Sequence, residues 1–269
     1  MRYDVEGTPR VADRARNHSI AYQPPGDPRS MLLIARRGAL EALRDRMTLI
    51  MSVLFSVVLP LFLALAVTPA TFSMLSGASA SQSQESTLAI YLLVVGLLPS
   101  ASAVGIASGQ FAGEREQGNL QPLLVSPASN AAIFGGKVLG AMIPAMFFAA
   151  IAEVAYLSGV GVAVGFEALD QVPIAVALAM IGLVPAVTLF AATIASLISS
   201  RVRSYNAAQQ IGSFVLMPLW GALFVGVSRL LDRGIWALLG AVIALFVVDL
   251  LLVRVASATW RREEVLAQR

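Results

Sequence analysis

An all-α polytopic membrane fold is predicted: six transmembrane helices, an N-terminal interfacial amphipathic helix and a short cytoplasmic helix between spans two and three. Three observations carry it. The 269 residues are 57% apolar and only 13% charged, with a mean hydropathy of +0.77, about half the charge of an ordinary soluble domain. The apolar residues fall in runs of roughly 20, long enough to cross a hydrocarbon core of about 30 Å, and in lipid a helix satisfies its own backbone. The basic residues collect on one side of those runs.

The elements follow in order. Residues 1–30 lack the apolar core of a signal peptide or span and read as a flexible cytoplasmic tail. In "SMLLIARRGALEALRDRM", Leu33, Leu40, Leu43 and Met47 recur at helical offsets while Arg36, Arg37, Glu41 and Arg44 take other faces. That pattern predicts an interfacial helix over 31–46, apolar side toward lipid and Arg heads toward phosphates. A charged extension of the first span is the other reading. The spans are predicted at about 47–67, 88–111, 136–163, 172–198, 207–228 and 235–256, followed by a cytoplasmic tail over 257–269. "TPATFSMLSGASASQSQEST" reads as a flexible external loop, "GFEALDQV" as a tight external turn, and "SRLLDRG" as too short for a domain.

Six spans put both termini on one side, and seventeen of the 19 Lys and Arg residues fall on that side, all but Arg229 and Arg233. The termini, the loop after span two and "SSRVRSYN" are therefore predicted to be cytoplasmic. The same pattern explains a pI near 9.7 without nucleic acid, which requires basic residues clustered on a folded polar surface. With no cysteine and one histidine, His18 in the tail, disulfides, thiol catalysis and most metal or triad chemistry are excluded. The chain contains no GxxxxGK[ST] loop, so ATP chemistry must come from a partner.

Between spans two and three stands "FAGEREQGNLQPLLVSPAS", where Glu114, Arg115 and Glu116 interrupt two apolar runs. Leu120, Leu123 and Leu124 form a two-turn apolar stripe, Gly118 permits a bend before it and Pro127 stops it. Two readings are open at this point. The segment is a solvated loop joining two spans, or a helix whose Leu face docks in a partner's groove with carboxylates fixing its orientation.

"GEREQGNLQPLLVSPASNAAIFGGKVLGAM" resembles the signature of type-2 ABC exporter permeases, E-x-E-x-G-T-L-E-x-L-L-x-[ST]-P-x-[ST] followed by Gly-Lys. The matching positions are Glu114, Glu116, Gly118, Leu120, Leu123, Leu124, Ser126, Pro127, Ser129, Gly136 and Lys137; Asn119 and Gln121 depart from it. "ALEALRDRMTLIM", "SSRVRSYNAAQQIGSFVLMP" and "WRREEVL" are similar to other segments of that family, in the same order. The resemblance implies a permease subunit in a bacterial or archaeal plasma membrane that performs no chemistry of its own. It implies a coupling helix at about 113–127, including Arg115, seated on a separate ABC ATPase subunit that binds ATP and Mg. It also implies a second permease chain, as a homodimer. Glu114 and Glu116 are expected to hold the coupling helix against basic or backbone donor groups, Arg36, Arg37 and Arg44 of the interfacial helix among the candidates.

Two acids fall inside spans, Glu153 in the third and Asp249 in the sixth, where a charge costs at least about 2.5 kcal/mol on insertion scales. Each has two readings. They line a path for a cationic or polar substrate or carry an ion-coupled step, or they are satisfied structurally, Asp249 by Arg254. A secondary transporter using either acid is the rival to an ATP-driven exporter. The substrate is open among small amphiphiles, lipids, peptides and ions.

Overall fold

A computed structural model describes residues 27–75, 80–119, 126, 128–172 and 174–260. Among the described residues there are seven helices and no strand. In chain order they are α1 (Asp27–Ala42), α2 (Arg46–Met74), α3 (Ser83–Glu116, its first turn reaching back to Ala80), α4 (Asn130–Val164), α5 (Ile174–Arg201), α6 (Tyr205–Asp232) and α7 (Ile235–Thr259). Five of these, α2 to α5 and α7, are long and apolar enough to cross a membrane among the described residues. The predicted fifth span lies within the 28-residue α6.

The longest helix, α4, is the hub, packing against α1, α2, α3, α5 and α7. Small residues make this possible. A methyl group at Gly136 would lie 2.8 Å from the Met31 carbonyl and Ile34 of α1, and one at Gly140 would lie 3.1 Å from the Ala35 carbonyl. The buried face of α1 is Ser30, Ala35, Ala39 and Ala42. The predicted Leu stripe is a different face: Leu33, Leu40 and Met47 are 60%, 42% and 64% exposed. A sequence wheel shows the large residues, and the small ones that touch protein were missed.

The boundaries need correction. α1 starts at Asp27 rather than 31, with Pro28 in the first turn where its missing N–H costs nothing. It ends at Ala42 because Asp45 caps the next helix, accepting from the Thr48 N–H at 2.8 Å. The external loop is shorter than predicted, since α2 continues to Met74 and the next helix starts at Ala80. Thr68, Thr71 and Thr87 return their hydroxyls to helix carbonyls, so a polar composition there does not end the helix. "GFEALDQV" forms a 3₁₀ turn over Phe166–Gln171, and "SRLLDRG" is mostly the end of α6.

α2 contains two π-helical turns, Leu54–Val58 and Leu63–Val67. Their origin lies in the spacing of its buried face, Ser52, Ser56, Pro60, Ala64 and Thr68, a strict four-residue repeat. On a 3.6-residue helix each such step drifts by about 40°, and the wider π turns take up the drift. The stripe therefore stays on its partners: Ala64 fills the space beside Gly159, and Thr68 Oγ1 lies 3.3 Å from the Tyr156 hydroxyl. The opposite face, including Val58, Phe62 and Leu65, is at least half exposed.

Candidate functional site

The charged triplet "ERE" is the last turn of α3, so the predicted coupling helix beginning at 113 is corrected: Glu114 to Glu116 continue the span. Ahead of them Gly109–Gly113 is a π turn, and its cause is visible. The Ser199 hydroxyl of α5 accepts from the Ala112 N–H (2.9 Å) and donates to the Ser108 carbonyl (2.7 Å). A side chain from a neighbouring helix has entered the i→i+4 ladder and widened it.

Each residue of the triplet then holds a different helix. Glu114 Oε2 accepts from Lys137 Nζ of α4 at 2.6 Å. Lys137 is 3% exposed, donates also to the Gln110 carbonyl, and its ammonium lies 4.8 Å from the centre of the Phe111 ring. A buried cation needs such a set of partners, because an uncompensated one costs several kcal/mol, of order 3–5 when one partner is removed. Arg115 donates from Nη1 to the Val202 carbonyl (2.7 Å) and from Nη2 to the Ser200 carbonyl (2.9 Å). It closes the C-terminal end of α5, where the helix dipole favours a cation. Glu116 Oε1 accepts from the Tyr205 N–H at 3.1 Å, at the start of α6, where the dipole favours an anion.

The turn ends on Gly118, at φ +72°. The Asn119 N–H donates to the Glu114 carbonyl and the Gly118 N–H to the Arg115 carbonyl, the paired bonds of a Schellman helix end that requires a left-handed residue. The chain thus bends where glycine was expected to permit it. Leu120, Leu123, Leu124 and Pro127 lie outside the described residues; Ser126, among them, is half-buried. The C-terminal "RREEVL" also lies outside them.

The interfacial arginines do not hold Glu114 or Glu116, a second correction. Arg36 and Arg44 are exposed, and Arg37 pairs with Glu41 on its own helix at 2.7 Å. That hydrogen bond and the Glu41 charge raise the Arg37 guanidinium above its ordinary value. An (i, i+4) pair forms at lower entropic cost than one reaching across to α3. Asp45 is lowered by its hydrogen bonds from Thr48. A cavity of about 510 Å³ lies between these elements, lined by Arg37, Glu41, Asp45, Gln110, Glu114, Glu116 and Tyr205 among others.

Lys137, Gln110 and Ser199 are the residues missed as site members. Lys137 was legible only as one letter of a motif, since nothing local marks which acid 23 positions away it will meet. Glu153 and Asp249 are not brought to this end. Asp249 is 0% exposed, and neither oxygen has a hydrogen-bond partner, so the reading in which Arg254 satisfies it is not met. Glu153 is half-buried against α3, and no hydrogen bond or ion pair to it is found among the described residues. No group of three or more His, Asp or Glu among the described residues could hold a metal ion.

The family model described as ABC-2 type transporter matches residues 29–222. No curated protein matches the chain.

Proposed function

The chain belongs to the ABC-2 type transporter family, as a multi-pass permease subunit whose nucleotide chemistry resides on a partner ATPase, and from that premise we propose how the two are joined. The α1 end of the bundle is cytoplasmic, α6 completes a set of six spans, and two copies of the chain pair to form an outward path for a small amphiphile, lipid, peptide or ion. The segment after Gly118, with Leu120, Leu123 and Leu124, seats on the ATPase as the coupling helix.

The observation that carries this reading is the three-way clasp. Glu114 ties α3 to α4, Arg115 ties it to α5, and Glu116 ties it to α6. A displacement of the segment after Gly118 is delivered to four helices at once. A conformational bias needs a contact whose energy differs between two states, and a rigid handle on several helices converts ATPase opening and closing into such a difference.

The test is co-expression with the ATPase subunit and reconstitution into liposomes. Glu114→Gln with Glu116→Gln also leaves Lys137 without its carboxylate and lowers stability, so coupling is read per assembled complex, where ATP hydrolysis should be uncoupled from transport. Intact coupling in the double variant would overturn the role of the clasp. Failure of the chain to co-purify with any ATPase subunit would overturn the handle itself.

A further inference from the structure

We propose that Glu153, at the break in α3, forms an intramembrane binding site for the primary ammonium group of a cationic amphiphile. The inference rests on the permease reading above and names the substrate class it leaves open.

The site lies where α3 and α4 meet, with α5 packed against both. α3 is interrupted between its Ala80–Leu97 and Ser100–Ser108 parts, at Leu98 and Pro99. Pro99 has no N–H, so the Val95 carbonyl one turn earlier loses its helical donor. Neighbouring groups are otherwise engaged: the Leu98 N–H donates to the Val94 carbonyl, and the Ser100 hydroxyl donates to the Leu97 carbonyl. Next to Val95 stands Gly96, and α4 and α5 use the space a side chain would fill. A methyl group there would lie 2.7 Å from Glu153 Oε1 and 3.0 Å from Val184, and would overlap Met180. The carboxylate therefore stands beside Gly96, one residue from the carbonyl that Pro99 deprives of its helical donor.

Three features decide the ligand. Glu153 has no partner among the described residues, yet it is only half-buried, so a ligand can reach it; Asp249, at 0% exposure, is closed to one. The core behind Glu153, with Val95, Leu97, Ala152, Met180 and Val184, is closed, but the open surface of α4 beside it is apolar, with Val154 64% exposed and Leu157 partly exposed, which suits an alkyl or aromatic tail. A hard metal ion takes six or more oxygens, whereas an ammonium group with three N–H donors is served by a carboxylate and one or two carbonyls. Broken helices with freed carbonyls beside an acid are a general way to hold a cation within a membrane.

The experiment measures binding of dansylcadaverine, a primary ammonium on an apolar body, to the purified full chain in nanodiscs without ATPase, by fluorescence anisotropy. Glu153→Gln should weaken binding at least about tenfold, and N-acetyl dansylcadaverine, which lacks the charge, should bind weakly and equally to both proteins. Pro99→Ala, which restores the donor to Val95, should weaken the amine by about threefold. Monodispersity on size-exclusion chromatography is checked for each variant, and Glu153→Asp gives a second variant that keeps the charge and should retain measurable binding. Equal affinity of wild type and Glu153→Gln for the amine, or no binding by wild type, overturns the proposal. Since the ATPase is absent, this failure is distinct from loss of coupling, which would instead overturn the clasp.

Discussion

At the α1 end, Glu114, Arg115 and Glu116 each meet a partner on a different helix, while in the interior of the bundle Glu153 and Asp249 meet none among the described residues. The chain is sparing with charge, so both choices are informative. Charges that are paired across helices hold the fold together. Charges left unpaired in an apolar setting do not stabilise the fold.

Substitutions can break that contrast. The largest effect is expected from Lys137→Met, which leaves Glu114 without its ammonium in a largely buried setting. A loss of about 3–5 kcal/mol, read as a fall in the detergent-solubilised unfolding midpoint, is the expected outcome, and a wild-type midpoint would show that the pair is decorative. Gly136→Ala comes next. The new methyl would sit 2.8 Å from the Met31 carbonyl, backbone that cannot rotate away, and overpacking of this kind costs roughly 1–3 kcal/mol.

Arg115→Lys sharpens the comparison, because an ammonium cannot span the Ser200 and Val202 carbonyls as the guanidinium fork does. About 1–2 kcal/mol should be lost, with chymotryptic cleavage after Tyr205 accelerated as α5 and α6 loosen. Asp249→Asn tests the other side. Removing a partnerless buried charge should leave the midpoint unchanged or raise it, and a fall would reveal a partner that pairs with the ionised carboxyl.

The smallest loss is at Asp45, an ordinary cap of about 1 kcal/mol. Its carboxyl is lower in the folded protein than in the unfolded chain because Thr48 donates to it. Its contribution is therefore whole above the unfolded value and is lost as pH falls through the lowered folded one. Wild type and Asp45→Ala should differ in unfolding midpoint at neutral pH and converge in acid. A difference that persists at the lowest pH would mean that packing, not the cap, is responsible.

Five of the six predicted spans, and their order, were legible because runs such as 235–256 have no other way to satisfy their backbone in lipid. The ends were less so. Thr68, Thr71 and Thr87 look like loop residues in composition but bond to their own helix. Of the site, the triplet was visible as a break in hydropathy and Gly118 as a bend. Its partners were not, since two are backbone carbonyls at 200 and 202, one is the Tyr205 N–H, and one is a lysine inside an apolar helix. Backbone groups leave no letter in a sequence. The closeness of the break at Pro99 to Glu153 depends on Gly96 facing α4, which only the fold reveals.

The four-residue stripe of α2 has a consequence for how its lipid face is counted. On a uniform 100° wheel Ser52 and Thr68 stand about 160° apart, on nearly opposite sides, although both are buried on one seam. A rotation accumulated over four turns has been removed in two local steps, so residue number and azimuth are no longer proportional along the first span. Its lipid-facing surface is a straight band with a period of four, and any probe that samples it residue by residue will keep time to that beat.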